Sequence, residues 1–249
     1  MFIHSSGNSV VLSSLAVTVM LLCFAATMTS SRAQGRRVPR VDGQRAVVVD
    51  ERLAALRDAP DLSARLLQRI GRGRMVAVMG RKRAPDGVTF YRVAVTRRTR
   101  GWLQSEAVVS SVRHGDDERL LRLIRGSEDF DRIVRARIFL DIFLRSPWRP
   151  VVLRLYAEAA EEAANKLSRE AGRRLDEREI TASGAPLYSY FMNYNGLDRY
   201  NRQGIVFIYD SAAKQFRYDG AGWREILRRY PRSQEAAQAR AKLRAPAAR

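Results

Sequence analysis

The sequence predicts an α+β fold: a small β-barrel over residues 46–110, then a mainly α-helical region over residues 116–249. Three observations predict it. Residues 46–110 break into short β-branched or alternating runs separated by Gly, Pro and Asp-Gly turn signals. From residue 116 the apolar residues recur at intervals of three and four, the helical period. An aromatic-rich insertion over residues 186–222 then interrupts the helices with a β-hairpin pattern.

Ahead of the barrel, Val10 to Met28 are almost continuously apolar, and Ser31-Arg32-Ala33 places small residues before a cut at Gln34. Residues 1–33 therefore read as a signal peptide or a membrane anchor, and 34–45 as a linker. The first nine residues lack Lys and Arg, while Arg32, Arg36, Arg37 and Arg40 follow the run. That order favours retention of the downstream side, so cleavage and anchoring both stay open. Either places the chain in the exported fraction, in the periplasm or cell envelope.

Ala46-Val47-Val48-Val49 suits a first strand. Leu56-Arg57-Asp58-Ala59-Pro60 follows, with Pro60 enforcing an extended turn. Leu66, Leu67 and Ile70 are expected to pack inward. Gly71-Arg72-Gly73 turns the chain into Met75–Met79, and Pro85-Asp86-Gly87 turns it again into Phe90–Val95. Arg100-Gly101-Trp102-Leu103 opens the last strands, which run to Val108-Val109. Leu56–Pro60, the Gly71–Gly73 turn and Gly101-Trp102-Leu103 together resemble a bacterial SH3-like (SH3b) domain, over about a quarter of the chain. The resemblance implies a binding or targeting module that recognises peptidoglycan or an envelope protein. Trp102 reads first as a core-edge packing residue. Alternatively, Tyr91 and Trp102 line a peptide groove, with Arg57 and Arg100 as its charged neighbours. The basic runs at Arg81–Arg83 and Arg97–Arg100 depart from the family's commonest pattern.

Asp116 or Asp117 is placed to cap a helix containing Leu120, Leu121 and Ile124, ended by Gly126. Ser127 is placed to cap a second, whose stripe is Ile133, Val134, Ile138, Phe139, Ile142 and Phe143. Pro147 and Pro150 separate it from a long helix running from Val151 to about Leu175. The opposite face of that helix, with Glu158, Glu161, Glu162, Lys166 and Glu170, reads as solvated, with Glu162–Lys166 as an i,i+4 pair. Near the C-terminus, Trp223–Tyr230 ends at Pro231, and Ser233 is placed to cap a helix through Ala236, Ala239 and Leu243. This resembles a tetratricopeptide-type helical hairpin. Phe139, Phe143 and Ser146 share the spacing of Ile226, Tyr230 and Ser233, but the offset is not a multiple of the ~34-residue repeat. The resemblance implies hairpins acting as an envelope scaffold.

The insertion holds Tyr188–Tyr194 as a short helix, then Gly204–Tyr209 and Gln215–Tyr218 as a hairpin around residues 211–214, or else an ordered loop. Asp219 is placed to cap the Trp223 helix. Its aromatic residues read as the core between two hairpins, with stacking on sugars or bases as the alternative.

The formal charge is +19, and only Lys82, Lys166, Lys214 and Lys242 among the cations are lysines. Such a surface attracts polyanions, an anionic membrane surface among them. The basic residues are spread along the chain rather than gathered on one element, which disfavours nucleic acid. Cys23 is the sole cysteine and His4 and His114 the only histidines, so no triad or His/Cys metal site can be assembled downstream of the apolar run. The sequence thus predicts a non-catalytic exported binding and scaffold protein without cofactor, metal or catalytic residues. A charge-driven polyanion binder and a cell-wall hydrolase with carboxylates alone are the alternatives.

Overall fold

The computed structural model describes residues 43–174 and 177–244. The apolar run of the N-terminus, its cut at Gln34, most of the linker and Leu175 lie outside them. Among the described residues no helix is long and apolar enough to cross a membrane.

Seven antiparallel strands come first: β1 (Gln44–Val48), β2 (Ala55–Arg57), β3 (Leu66–Arg69), β4 (Met75–Arg83), β5 (Thr89–Ala94), β6 (Arg100–Gln104) and β7 (Val108–Val109). Their order is β3-β2-β6-β5-β4-β1-β7. The sheet is open, so the expected closed barrel is not formed: β3 and β7 end it without pairing to each other. At the β7 end, the Ser110 amide that would prolong the ladder donates instead to Asp116 Oδ2 at 2.8 Å.

β1 explains its own unalternated apolar run. Ala46 and Val48 enter the core enclosed by the sheet, with Leu56, Val76, Val93 and Leu103. Val47 and Val49 enter a second core with the helices. A strand buried on both faces reads as continuous Val rather than as alternation.

The helices are α1 (Asp116–Arg125), α2 (Asp129–Ile142), α3 (Arg149–Arg174), α4 (Glu177–Ser183), α5 (Leu187–Met192), α6 (Asp198–Asn201), α7 (Ala221–Arg229) and α8 (Gln234–Arg244). Two further strands, β8 (Phe207–Asp210) and β9 (Gln215–Tyr218), form the expected hairpin in the insertion. α3 is the axis of this half: α2, β9, α7 and α8 all pack along it.

Three expectations of the sequence fail here. Leu66 and Leu67 are exposed at 45% and 42%, while Ile70 is buried. A register shift between Leu56 and Arg57 sets Leu66 opposite Arg57 on the outer face, and β3 has no neighbour beyond it. The acidic face of α3 is not simply solvated. Glu161 accepts from Trp223 Nε1 at 2.8 Å and from Lys242 Nζ at 2.6 Å, and Glu158 accepts from Gln238 at 2.8 Å. Lys166 reaches Asp129 rather than Glu162, which lies near Arg132.

The serine caps differ too. Ser127 Oγ donates to the Leu123 carbonyl and accepts from Arg135, and α2 starts after Glu128 with no side-chain cap. Ser233 Oγ has no hydrogen-bond partner. Gly115, in left-handed geometry at φ 78°, precedes α1 in place of an Asp cap. Gly220, at φ 80°, likewise precedes α7 with no side-chain cap, and Asp219 one residue earlier accepts from the Ala221 amide at 3.0 Å.

Candidate functional site

Strand register places Leu66, Arg57, Trp102, Arg92 and Gly80 in one row across β3, β2, β6, β5 and β4. Paired residues share a sheet face, so Trp102 stands between two arginines on the face away from the core. Arg100 lies on the same face, two residues along β6, and is exposed like Arg92. Tyr91 pairs with Leu103 and therefore faces the other way, packing on the sheet core. The four residues expected to make one site are split: Arg57, Trp102 and Arg100 share a face, and Tyr91 does not. Nor is Trp102 packed against either core among the described residues.

Arg57 has a positioning role on this face. Its Nη1 donates to the Ala64 carbonyl at 2.6 Å and closes the loop between β2 and β3. Gly101 lets β2 approach, since a Cβ there would meet the Arg57 carbonyl at 2.6 Å.

A second site was not foreseen. A cleft of about 700 Å³ lies between the β7–α1 linker and the α2–α3 loop. Val112 and Leu144 line it while 71% and 68% exposed. Trp148, half-buried against the helical core, lines it as well. His114, expected as a linker residue, is in that linker and lines the cleft.

Both walls are tied down. Arg113 bonds Asp116 at 2.6 Å and the Tyr91 hydroxyl at 2.7 Å, fixing the linker to the sheet. Ser146 Oγ donates to Asp117 at 2.7 Å, joining the loop to α1. Buried Arg149 donates to the Leu140 and Phe143 carbonyls at 2.7 and 3.3 Å, satisfying the end of α2, and to the Tyr230 hydroxyl at 3.0 Å.

No family model, curated protein or solved structure matches this chain.

The aromatic insertion serves packing. Phe191, Tyr194, Tyr200, Phe207 and Phe216 are buried, and Phe191 stacks on Tyr209 with ring centroids 4.4 Å apart. Burial pushes the Tyr156 hydroxyl up to about 12, and it donates to the Gln203 carbonyl at 2.8 Å. Among the described residues no three His, Cys, Asp or Glu side chains converge as a metal site. The cleft left little trace in sequence. Leu144 follows directly on Phe143, the last residue of the apolar stripe, and nothing local marks it as exposed.

Proposed function

We propose that this chain is a non-catalytic binding and scaffold protein of the bacterial cell envelope, whose cleft between sheet and helices holds a segment of a protein partner. The observation that carries the reading is the pair Val112 and Leu144, left exposed beside half-buried Trp148 in a cleft whose walls are already fixed. Apolar side chains held open to water in a preformed groove favour a protein segment with its own apolar anchor. They suit a polar wall polymer less well.

The strand order supports an SH3-like reading of the sheet, with the Ser105–Ala107 3-10 turn leading β7 back to β1. The α7–α8 pair, joined at Tyr230–Ser233, supports a tetratricopeptide-like hairpin. The Arg149–Tyr230 bond ties it to the α2–α3 pair. The apolar run at residues 10–28 supports export.

The test is a photoreactive amino acid at position 144 of the full chain, expressed in the native host. The expected result is a cross-link to one envelope protein that disappears in Val112→Asp. Cross-links spread over many proteins, or recovery of the chain as a soluble cytoplasmic protein, overturn the proposal. Release of soluble fragments from purified sacculi would transfer it to the hydrolase reading.

A further inference from the structure

We propose that the outer face of the sheet, around Trp102, docks on an anionic phospholipid bilayer. Strands β2 to β6 contain no Asp or Glu. Register puts Arg57, Lys82, Arg92 and Arg100 on the face of Trp102, where Lys82, Arg92 and Arg100 are exposed and flank buried Phe90 and Ala94. Lys82, Arg92 and Arg100 make no ion pair among the described residues, in contrast to the paired arginines of the helices. These three cations are left without a carboxylate among the described residues and are open to an external anion.

Exposed leucines border this face: register puts Leu66 on it opposite Arg57, Leu67 is the unpaired residue of the bulge, and Leu62 lies in the loop before β3. Leu62, Leu66 and Leu67 are 44%, 45% and 42% exposed, within six residues of one another at the open edge of the sheet. The Arg57 bond to Ala64 closes the loop that carries Leu62 and leads into β3. Cations and leucines together decide the occupant. A phosphodiester strand would use the arginines and stack on Trp102, and it would leave three leucines in water. A bilayer interface accommodates all three kinds of side chain: leucine at the acyl boundary, Trp at the headgroups, and cations on lipid phosphate.

The sequence upstream agrees. Arg32, Arg36, Arg37 and Arg40 lie between the apolar run and β1, and a stretch of this length, from Met28 to Gln44, can span at most roughly 58 Å. If that run is retained as an anchor, the sheet stays within reach of the membrane. The inference does not depend on the cleft.

The full chain is reconstituted with phosphatidylcholine–phosphatidylglycerol vesicles carrying brominated acyl chains, and with all-phosphatidylcholine vesicles of the same kind. Contact quenching of tryptophan fluorescence then reads whether this face meets lipid, whatever the apolar run does. Quenching is expected in the anionic vesicles alone, and is lost in Trp102→Phe and in Arg92→Glu/Arg100→Glu. It falls in Leu62→Ser/Leu66→Ser/Leu67→Ser. The charge-reversed and leucine positions are exposed, and unchanged thermal unfolding verifies that these variants fold. Equal quenching in neutral vesicles, or quenching that survives Trp102→Phe, overturns the inference. A Trp102 emission shift on adding single-stranded oligonucleotide, without lipid quenching, also overturns it and reassigns the face to nucleic acid.

Discussion

The guanidinium of Arg113 stands 5.8 Å from the centroid of the Tyr91 ring and donates to its hydroxyl at 2.7 Å. The same side chain holds Asp116 at 2.6 Å, where α1 begins. Tyr91 is therefore an anchor for the linker that walls the cleft, and its hydroxyl is already engaged.

Tyr91→Phe keeps the ring and removes only that acceptor. A hydrogen bond to a charged donor at a half-buried site is worth about 1–2 kcal/mol, so the unfolding free energy from urea titration should fall by that amount. Trp102→Phe, which touches neither core, should change it by less than about 0.5 kcal/mol. Equal losses in the two variants would remove the distinction drawn between these aromatic residues.

Gly101 permits a close approach of β2 to β6. A Cβ there would lie 2.6 Å from the Arg57 carbonyl and 2.8 Å from Leu56 Cγ. A backbone oxygen cannot rotate aside, so Gly101→Ala must part β2 from β6, which are joined in register at Arg57 and Trp102. The expected loss is about 2–3 kcal/mol, the range of overpacked cores. Gly71→Ala provides the control, since a Cβ there meets nothing within 4 Å. A urea midpoint for Gly101→Ala close to that of the control would contradict the close approach.

These contacts also mark where the sequence was readable. Residues that end elements act locally, so Gly126, the Pro147–Pro150 break, Tyr230-Pro231 and the residues 211–214 turn all stand where spacing put them. Faces that depend on distant partners were less legible. Apolar content alone assigned Leu66 and Leu67 to the interior, whereas a bulge at Leu56/Arg57 decides their side. Glu158 and Glu161 looked solvated because their partners on α7 and α8 lie more than sixty residues away in sequence. A clue was present: Ala157, Ala160 and Ala164 recur on that side at helical spacing, and a Cβ on Gly222 would meet Ala157 at 3.1 Å. The candidate site followed the same rule. Arg57, Trp102 and Arg100 share a face by alternation, while the cleft forms from segments some thirty residues apart.

Asp50 links the two cores electrostatically, and it should make the fold acid-sensitive. Buried at the end of β1, it accepts from Arg52 Nε at 2.9 Å and Nη2 at 2.6 Å, and lies 3.7 Å from Arg135. The Arg52 hydrogen bond, supported by the charges of Arg52 and Arg135, holds its carboxyl below the usual range despite burial. Arg135 in turn donates to the Val49 carbonyl at 3.1 Å, joining α2 to β1. A carboxyl whose folded value lies below its unfolded value, near 3.9, stabilises fully above about pH 5 and loses that stabilisation as the pH falls through the folded value. Asp50→Asn keeps the shape and removes the charge, leaving buried Arg135 without its nearest carboxylate. At pH 7 the variant should be less stable by about 1–3 kcal/mol, and the gap to the native chain should close as the pH is lowered from 5 toward 2. Asp131, also held low by Arg72, remains in both chains, so its acid response cancels in the difference. Thermal unfolding of the two proteins across that range decides the matter: a gap that stays constant would mean that the Asp50 charge contributes nothing and that the loss comes from the second acceptor oxygen, which Asn lacks.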